Sequence, residues 1–459
     1  MMSRDNQGLS ARKCAYDLIE AVFTEDAYSN LLLPELIDEY ELDSRDAGFA
    51  TELSLGSLRW RGFLDAVIAQ ASGREVERID PPIRDILRLG AYQILMMRVP
   101  DHAAVSSSVD LANWVRMTSA GGLVNAVLRR VSEKSLDEWV TVITDEIADE
   151  ADRLSVRWSH PRWEVTALRD ALGANADSLP QLLETNNMSP SITGVSRSGE
   201  SGVEELLAAG GAEGSWSPFA VKITKEPRSI EGIRQGRLGV QDEGSQLVAL
   251  TAAYAPIEGN DKKWLDLCAG PGGKAALLKF LANQRGASLT AVELQQHRAT
   301  LVEKSLAGVA GQSEVIVADG TDARFATADF DRVIVDAPCT GLGVLRRRAE
   351  SRWRRTPADV GALTKIQRNL VLNALKAIRP GGIVMYSTCS PHLAETEFVI
   401  EDVLAADKSA RLLNATEVVI PGLHHEVEYR QSIGDGPYVR LWPHVHGTDG
   451  MFMAILTRD

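Results

Sequence analysis

The stretch that most constrains this chain is LDLCAGPGGK, Leu265 to Lys274. An apolar run carrying Asp266 follows Trp264 and stops at Ala269-Gly270-Pro271-Gly272-Gly273. Ala275, Ala276, Leu277, Leu278, Phe280 and Leu281 then recur at helical spacing. The pattern predicts a strand, a tight turn and a helix. Glycines allow positive φ and close approach of a ligand, and a helix N-terminus offers free N–H groups. Glu293 closes the next apolar run, Ser288-Leu289-Thr290-Ala291-Val292. It comes about 20 residues after the turn, the spacing at which a carboxylate grips a ribose.

The turn discriminates among cofactors. A dinucleotide fingerprint requires G-x-G-x-x-G, whereas the glycines here are Gly270, Gly272 and Gly273, which speaks against a nucleotide-cofactor oxidoreductase. A P-loop requires Ser or Thr after Gly-Lys, and Lys274 is followed by Ala275. S-adenosylmethionine (SAM) carries no phosphate and suits a short glycine turn with an acidic residue on its ribose.

Strand patterns recur beyond this point at Ser288–Leu294, Ser313–Ala318, Asp331–Asp336, Gly382–Ser387 and Met451–Leu456, with helical patterns between most of them. Residues 241–459 are therefore expected to form a mostly parallel sheet covered by helices. Residues 1–145 read as all-helical, with Ala15, Leu18, Ile19 and Val22 on one face and Ile83, Ile86, Leu87 and Gly90 on another. The acidic segment Asp145 to Asp152 reads as a boundary, and 150–240 as a small α/β module.

Composition bounds the function classes. With 44% hydrophobic and 24% charged residues the chain is globular. MMSRDNQGLSARK lacks the apolar core of a secretory signal, and no apolar run is long enough to span a membrane. Cys14, Cys268, Cys339 and Cys389 are too widely spaced for a disulfide framework or a zinc cluster, so no metal is expected and the thiols read as reduced and cytoplasmic. Residues 1–150 carry 15 basic and 26 acidic side chains, a net −11 of the total −14. Any phosphate binding must come from local basic clusters.

In sheets of this kind ligands bind beyond the carboxyl ends of the strands. Cys339 follows the run Val333 to Pro338, and Cys389 follows Ile383 to Thr388. If those strands are neighbours, two thiols and the Asp336 carboxylate converge beside the SAM turn. A thiolate beside a methyl donor has a specific use. Carbon 5 of cytosine is too poor a nucleophile to attack a sulfonium. Addition of a thiolate at carbon 6 makes carbon 5 an enamine carbon that can, and a carboxyl group at ring nitrogen 3 favours the addition. Loss of the carbon-5 proton then lets the thiol leave. The target base must be unstacked or single-stranded to enter such a pocket.

These residues resemble the RNA cytosine-5 methyltransferases of the RsmB/NOP family. The matching segments are Gln241 to Gln246, LDLCAGPGGK, VDAPCTGLGVLRR (335–347) and PGGIVMYSTCS (380–390). The resemblance implies that Cys389 is the nucleophile, Cys339 assists release of the adduct and Asp336 holds the base. It places SAM on Cys268, Ala269, Gly270, Pro271, Gly272, Gly273, Lys274, Glu293, Arg298, Asp319 and Asp336. The fold implied is a class I, Rossmann-like methyltransferase. Pro82 to Ile94 and Val124 to Arg130 resemble a NusB-like RNA-binding domain, an arrangement that implies small-subunit ribosomal RNA as substrate. Ala275 stands where Thr is usual, Ala349-Glu350 where Pro-Asp is common, and Glu395-Thr396-Glu397 where Glu-Asn-Glu is. None of these removes a catalytic atom. Arg346, Arg347, Arg348, Arg352, Arg354 and Arg355 with Trp353 read as an RNA contact directly after the active-site loop. The expectation is a cytoplasmic monomer that acts on RNA. The same reaction on transfer RNA, or an idle RNA-binding assembly factor, are the alternatives.

Overall fold

Helix boundaries in the first part of the chain follow local chemistry. In the computed structural model, which describes residues 4–459, the first helix is Arg4–Thr24, and Met1–Ser3 of the N-terminal stretch lie outside the described residues. Asp43 caps Ser44–Arg59 by accepting from the N–H groups of Arg45 and Asp46. Pro81 and Pro82 open Pro81–Leu95, where their missing N–H groups cost nothing. Ser135 and Glu138 form a capping box on Leu136–Thr144. The predicted faces are buried, with Ala15, Leu18, Ile19, Val22, Ile83, Ile86 and Leu87 all in one core. Gly90 lets Pro81–Leu95 approach Gly121–Val131 closely, since a Cβ there would lie 2.5 Å from Leu128 Cδ1.

The chain divides into two units, one running up to Ser189 together with Leu345–Arg355, the other comprising Pro190–Val344 and Thr356–Asp459. The acidic segment read as a boundary lies inside the first of these units. The acidic segment is a helix start, with Asp149 capping Glu150–Trp158 and Arg162 pairing with Asp149 and Asp152. Helices Arg162–Leu172 and Leu179–Asn186 complete the helical unit.

The second unit opens with strands β1 (Ile192–Ser196), β2 (Ala212–Glu213), β3 (Ala220–Ile223) and β4 (Leu238–Val240). They form an antiparallel sheet in the order β2-β3-β1-β4, with helices after β1 and before β4, a split β-α-β topology. One face packs on those helices through Val221, Ile223, Leu238 and Leu206. The module does not stand alone: Val195 shares a core with Leu277 and Phe280, and the rings of Phe219 and Phe280 are 5.6 Å apart, edge to face.

The larger sheet contains β5 (Lys263–Asp266), β6 (Ser288–Glu293), β7 (Gln312–Val317), β8 (Phe330–Asp336), β9 (Ile378–Thr388), β10 (Ala410–Leu413), β11 (Val439–Leu441) and β12 (Met451–Arg458). Its order is β10-β12-β9-β8-β5-β6-β7, with β11 also pairing β12. Strands β7, β6, β5, β8 and β9 run parallel, and β12 is antiparallel to β9, β10 and β11. Apolar side chains of β5, β8 and β9, among them Val333, Ile334, Val384 and Met385, are fully buried on both faces, as a helix-covered parallel sheet requires. Strand β5 thus lies centrally, between β6 and β8, and the carboxyl ends of β5, β6, β8 and β9 are brought side by side.

Candidate active site

The glycine turn is built against the end of β6. The Gly270 N–H donates to Glu293 Oε2 at 3.1 Å, and Arg298 donates to the Gly270 carbonyl at 2.7 Å. A Cβ on Gly270 would fall 2.0 Å from that same Glu293 oxygen, and Gly272 has φ +107, so both positions demand glycine. Helix Gly273–Gln284 begins at once, with Gly272 as its N-cap and no side chain capping it. Strand β5 ends at Asp266, so Cys268 sits in the turn itself, with its N–H on Asp266 Oδ1 at 3.1 Å. Asp319, just past β7, is exposed and accepts from the N–H and hydroxyl of Thr321.

Strands β8 and β9 are neighbours, with Asp336 opposite Ser387. The loops beyond them bring Cys339 Sγ to 3.3 Å from Cys389 Sγ. Lys274 Nζ lies 2.9 Å from Asp336 Oδ2 and 3.2 Å from Ser245 Oγ, while Ser387 donates to Asp336 Oδ1 at 3.0 Å. Burial works against the Lys274 charge, but Asp336, with help from Cys389 and Asp266, outweighs it and holds its pKa above the usual lysine value. Cys339 is pushed well up by its hydrogen bond to Cys389 and by burial, and Cys268 by burial first. The Lys274 ammonium and the Cys389 sulfur interact electrostatically, the thiolate form of Cys389 helping to hold the lysine pKa up. The arrangement supplies one cation-supported thiol, a partner thiol and an oriented carboxylate.

Comparison with known proteins places the chain. A family described as 16S rRNA methyltransferase RsmB/F matches residues 253–457, and the NusB family matches residues 9–133. A protein of Mycobacterium tuberculosis named as a methyltransferase is 46% identical, covering 98% of this chain and 96% of its own length. Ribosomal RNA small subunit methyltransferase B of Pseudomonas syringae pv. tomato is 31% identical over 88% of this chain and 89% of its own. The chain belongs to the RsmB/F methyltransferase family. Solved structures agree on the fold: that of PH0851 superposes with a TM-score of 0.78 at 21% identity over all of both chains. A methyltransferase homologue from Pyrococcus horikoshii gives 0.54 at 22% identity over 68% of this chain and all of its own.

Against this RsmB/F framework the arginine run departs from its sequence reading. Arg352 is fully buried in the helical unit and donates to the carbonyls of Arg59, Ser159 and Asn186 and to Asn187 Oδ1, at 2.8–3.1 Å. Trp353 donates to the Leu58 carbonyl at 2.9 Å and covers Gly62. Arg354 reaches the carbonyls of Val22 and Ala27. Arg346 is buried, Arg347 and Arg355 are partly exposed, and Arg348 is exposed. Arg352 and Trp353 therefore hold helices together, and Arg352, fully buried, has no free face for a phosphate. Arg347, Arg348 and Arg355 keep solvent access.

Three further residues received no role from the sequence. Glu395, fully buried, accepts from the Thr340 N–H at 2.8 Å, from the Thr340 hydroxyl and from Gln367, which also holds the Pro338 carbonyl. It thereby shapes the loop that carries Cys339. Ser245 and Ser387 hold Lys274 and Asp336. Their signal was their place in the segments 241–246 and 380–390.

Among the described residues no helix is long and apolar enough to cross a membrane, and no group of three His, Cys, Asp or Glu side chains is placed to hold a metal ion.

Proposed function

We propose that this RsmB/F-family protein transfers a methyl group from SAM to carbon 5 of a cytosine in small-subunit ribosomal RNA, through a covalent adduct with Cys389. The observation that carries the proposal is the 3.3 Å contact of Cys389 with Cys339 beside the Lys274–Asp336 pair. The names of relatives such as the Pseudomonas syringae enzyme support the RNA class.

The donor set fits SAM, because the Glu293 carboxylate, a partner for ribose hydroxyls, lies against the glycine turn and a helix begins directly at that turn. Cys268–Lys274, Glu293, Arg298 and Asp319 would hold the group. When bound it supplies an electrophilic methyl on sulfur.

Every other step belongs to the chain. Asp336, fixed by Lys274 and Ser387, positions the base through ring nitrogen 3. Lys274 favours the Cys389 thiolate, whose sulfur forms the bond to carbon 6. Cys339, adjacent to that sulfur, assists departure of Cys389 once the carbon-5 proton is lost. Arg347, Arg348 and Arg355 are the members of the arginine run that contact RNA, and we read the protein as a cytoplasmic monomer.

The test is transfer of labelled methyl from SAM to unmodified small-subunit rRNA and to bulk tRNA, followed by nucleoside analysis. The expected outcome is 5-methylcytidine on rRNA, no product with Cys389→Ala, and a persistent protein–RNA adduct with Cys339→Ala. Label on tRNA alone moves the substrate assignment, activity in Cys389→Ala overturns the nucleophile, and no label on either RNA favours an assembly factor.

A further inference from the structure

The contact between Cys339 and Cys389 has a chemistry of its own. Both are unoxidised and partly exposed in the structure, and both sit on loops rather than within strands. A disulfide needs its sulfurs about 2.05 Å apart, against the 3.3 Å observed. Closing that gap takes a side-chain adjustment, not a movement of the sheet. The two loops are already tied together: the Gly343 N–H donates to the Cys389 carbonyl at 2.8 Å, and the Gly450 N–H donates to the Gly343 carbonyl at 2.8 Å. Gly343 makes this approach possible, because a Cβ there would lie 2.8 Å from the Cys389 carbonyl oxygen and 2.1 Å from that of Gly450. Glu395 fixes the Cys339 loop from the other side.

We propose that Cys339 and Cys389 are an oxidation-sensitive pair that a hydroperoxide converts to an intramolecular disulfide, silencing the methyltransferase until a thiol reductant restores it. The Cys389 thiolate attacks the terminal peroxide oxygen; the O–O bond breaks, an S–O bond forms and an alcohol or water leaves. Cys339 sulfur then attacks the Cys389 sulfenic sulfur; the S–O bond breaks, the S–S bond forms, and hydroxide takes the Cys339 proton and leaves as water. Two thiols lose two electrons and the peroxide gains them. The neighbouring thiol captures the sulfenic acid before further oxidation, the step that would be irreversible. Lys274 supports the thiolate that begins the sequence. Cys268 is a poor competitor, since burial and nearby carboxylates push its pKa well up.

The silencing rests on Cys389 being the nucleophile proposed above; the oxidation does not, so each can fail alone. The full-length reduced chain is treated with hydrogen peroxide without SAM or RNA, then followed by intact mass, non-reducing peptide mapping and methyl transfer to small-subunit rRNA. The expected result is loss of two hydrogens, a Cys339–Cys389 cross-linked peptide, and Cys14 and Cys268 still open to alkylation. Methyl transfer falls at least about tenfold and returns with dithiothreitol. In Cys339→Ser, peroxide instead carries Cys389 to sulfinic or sulfonic acid, which dithiothreitol does not reverse. Oxygenated Cys389 beside an alkylatable Cys339 in the wild type, or a disulfide through Cys14 or Cys268, overturns the proposal. A cross-linked chain with undiminished methyl transfer sinks the silencing and, with it, the role of Cys389.

Discussion

Lys274 Nζ and Asp336 Oδ2 are 2.9 Å apart, an ion pair that joins the helix after the glycine turn to the end of β8. An exposed pair of this kind contributes little. Here Lys274 is 14% exposed, and Asp266 and Asp336 both act on its charge. Without the cation, Asp336 loses the partner that fixes its Oδ2. Lys274→Met is therefore expected to lower methyl transfer about 100-fold, the lower end of what one positioned group contributes. Methyl transfer equal to the parent's would mean that the pair does not orient the carboxylate.

Glu395 shows how a residue that never meets substrate sets the position of one that does. Its carboxylate holds Thr340, next to Cys339, and Gln367 holds Pro338 and Glu395 together. Glu395→Ala strands the buried Thr340 N–H, while the Thr340 hydroxyl keeps Ser390 and Gln367 keeps the Pro338 carbonyl, a cost of about 2 kcal/mol. We expect the urea midpoint to fall accordingly. At temperatures where the variant stays folded, adduct should persist longer than in the wild type, because the Cys339 loop is loosened. Adduct lifetimes equal to wild type, with lowered stability, would make Glu395 a purely structural residue.

Much of this was legible in the chain. The predicted strands over 288–294, 331–336, 382–387 and 451–456 correspond to β6, β8, the second part of β9 and β12, because long apolar runs between turn residues leave little choice of structure. Strands β10 and β11 were invisible: each is three or four residues long and exists only by pairing with β12. The Lys274–Asp336 pair was hidden for a related reason, since it depends on β5 lying beside β8, which no local pattern encodes. The arginine run misled because density of charge says nothing about burial. The acceptors of Arg352 are carbonyls of residues 59, 159 and 186, far away in the sequence.

That burial separates two arginines that the sequence makes look alike. Arg352→Ala leaves several buried carbonyls without donors and is expected to destabilise the helical unit by about 3–5 kcal/mol, as loss of a buried charged network does. Arg348→Ala, on the surface, should change stability by less than about 0.5 kcal/mol. If Arg348 meets a phosphate, its loss should lower the slope of log affinity against log salt by about 1. Thermal melts and salt-dependent RNA binding of the two variants check both statements. A stable Arg352→Ala with weakened RNA binding would reverse the assignment.

Asp266 gives the molecule a pH dependence whose sign can be worked out. Burial, first of all, pushes its carboxyl up to about 7, with the Cys268 N–H working the other way and Asp336 adding to the rise. In the unfolded chain it titrates near 3.9. Below about pH 4 both states hold the proton and the group costs nothing. Between about 4 and 7 the unfolded chain releases a proton that the folded chain retains, so stability falls as pH rises. Above about 7 the loss is complete, at most about 4 kcal/mol for three pH units. Asp266→Asn keeps an oxygen for the Cys268 N–H and removes the titration. Its stability relative to the parent should therefore grow from pH 4 to 7 and stay level above. Urea unfolding of both proteins from pH 4.5 to 8.5 measures this, and a difference that does not change with pH would show that Asp266 ionises normally in the fold.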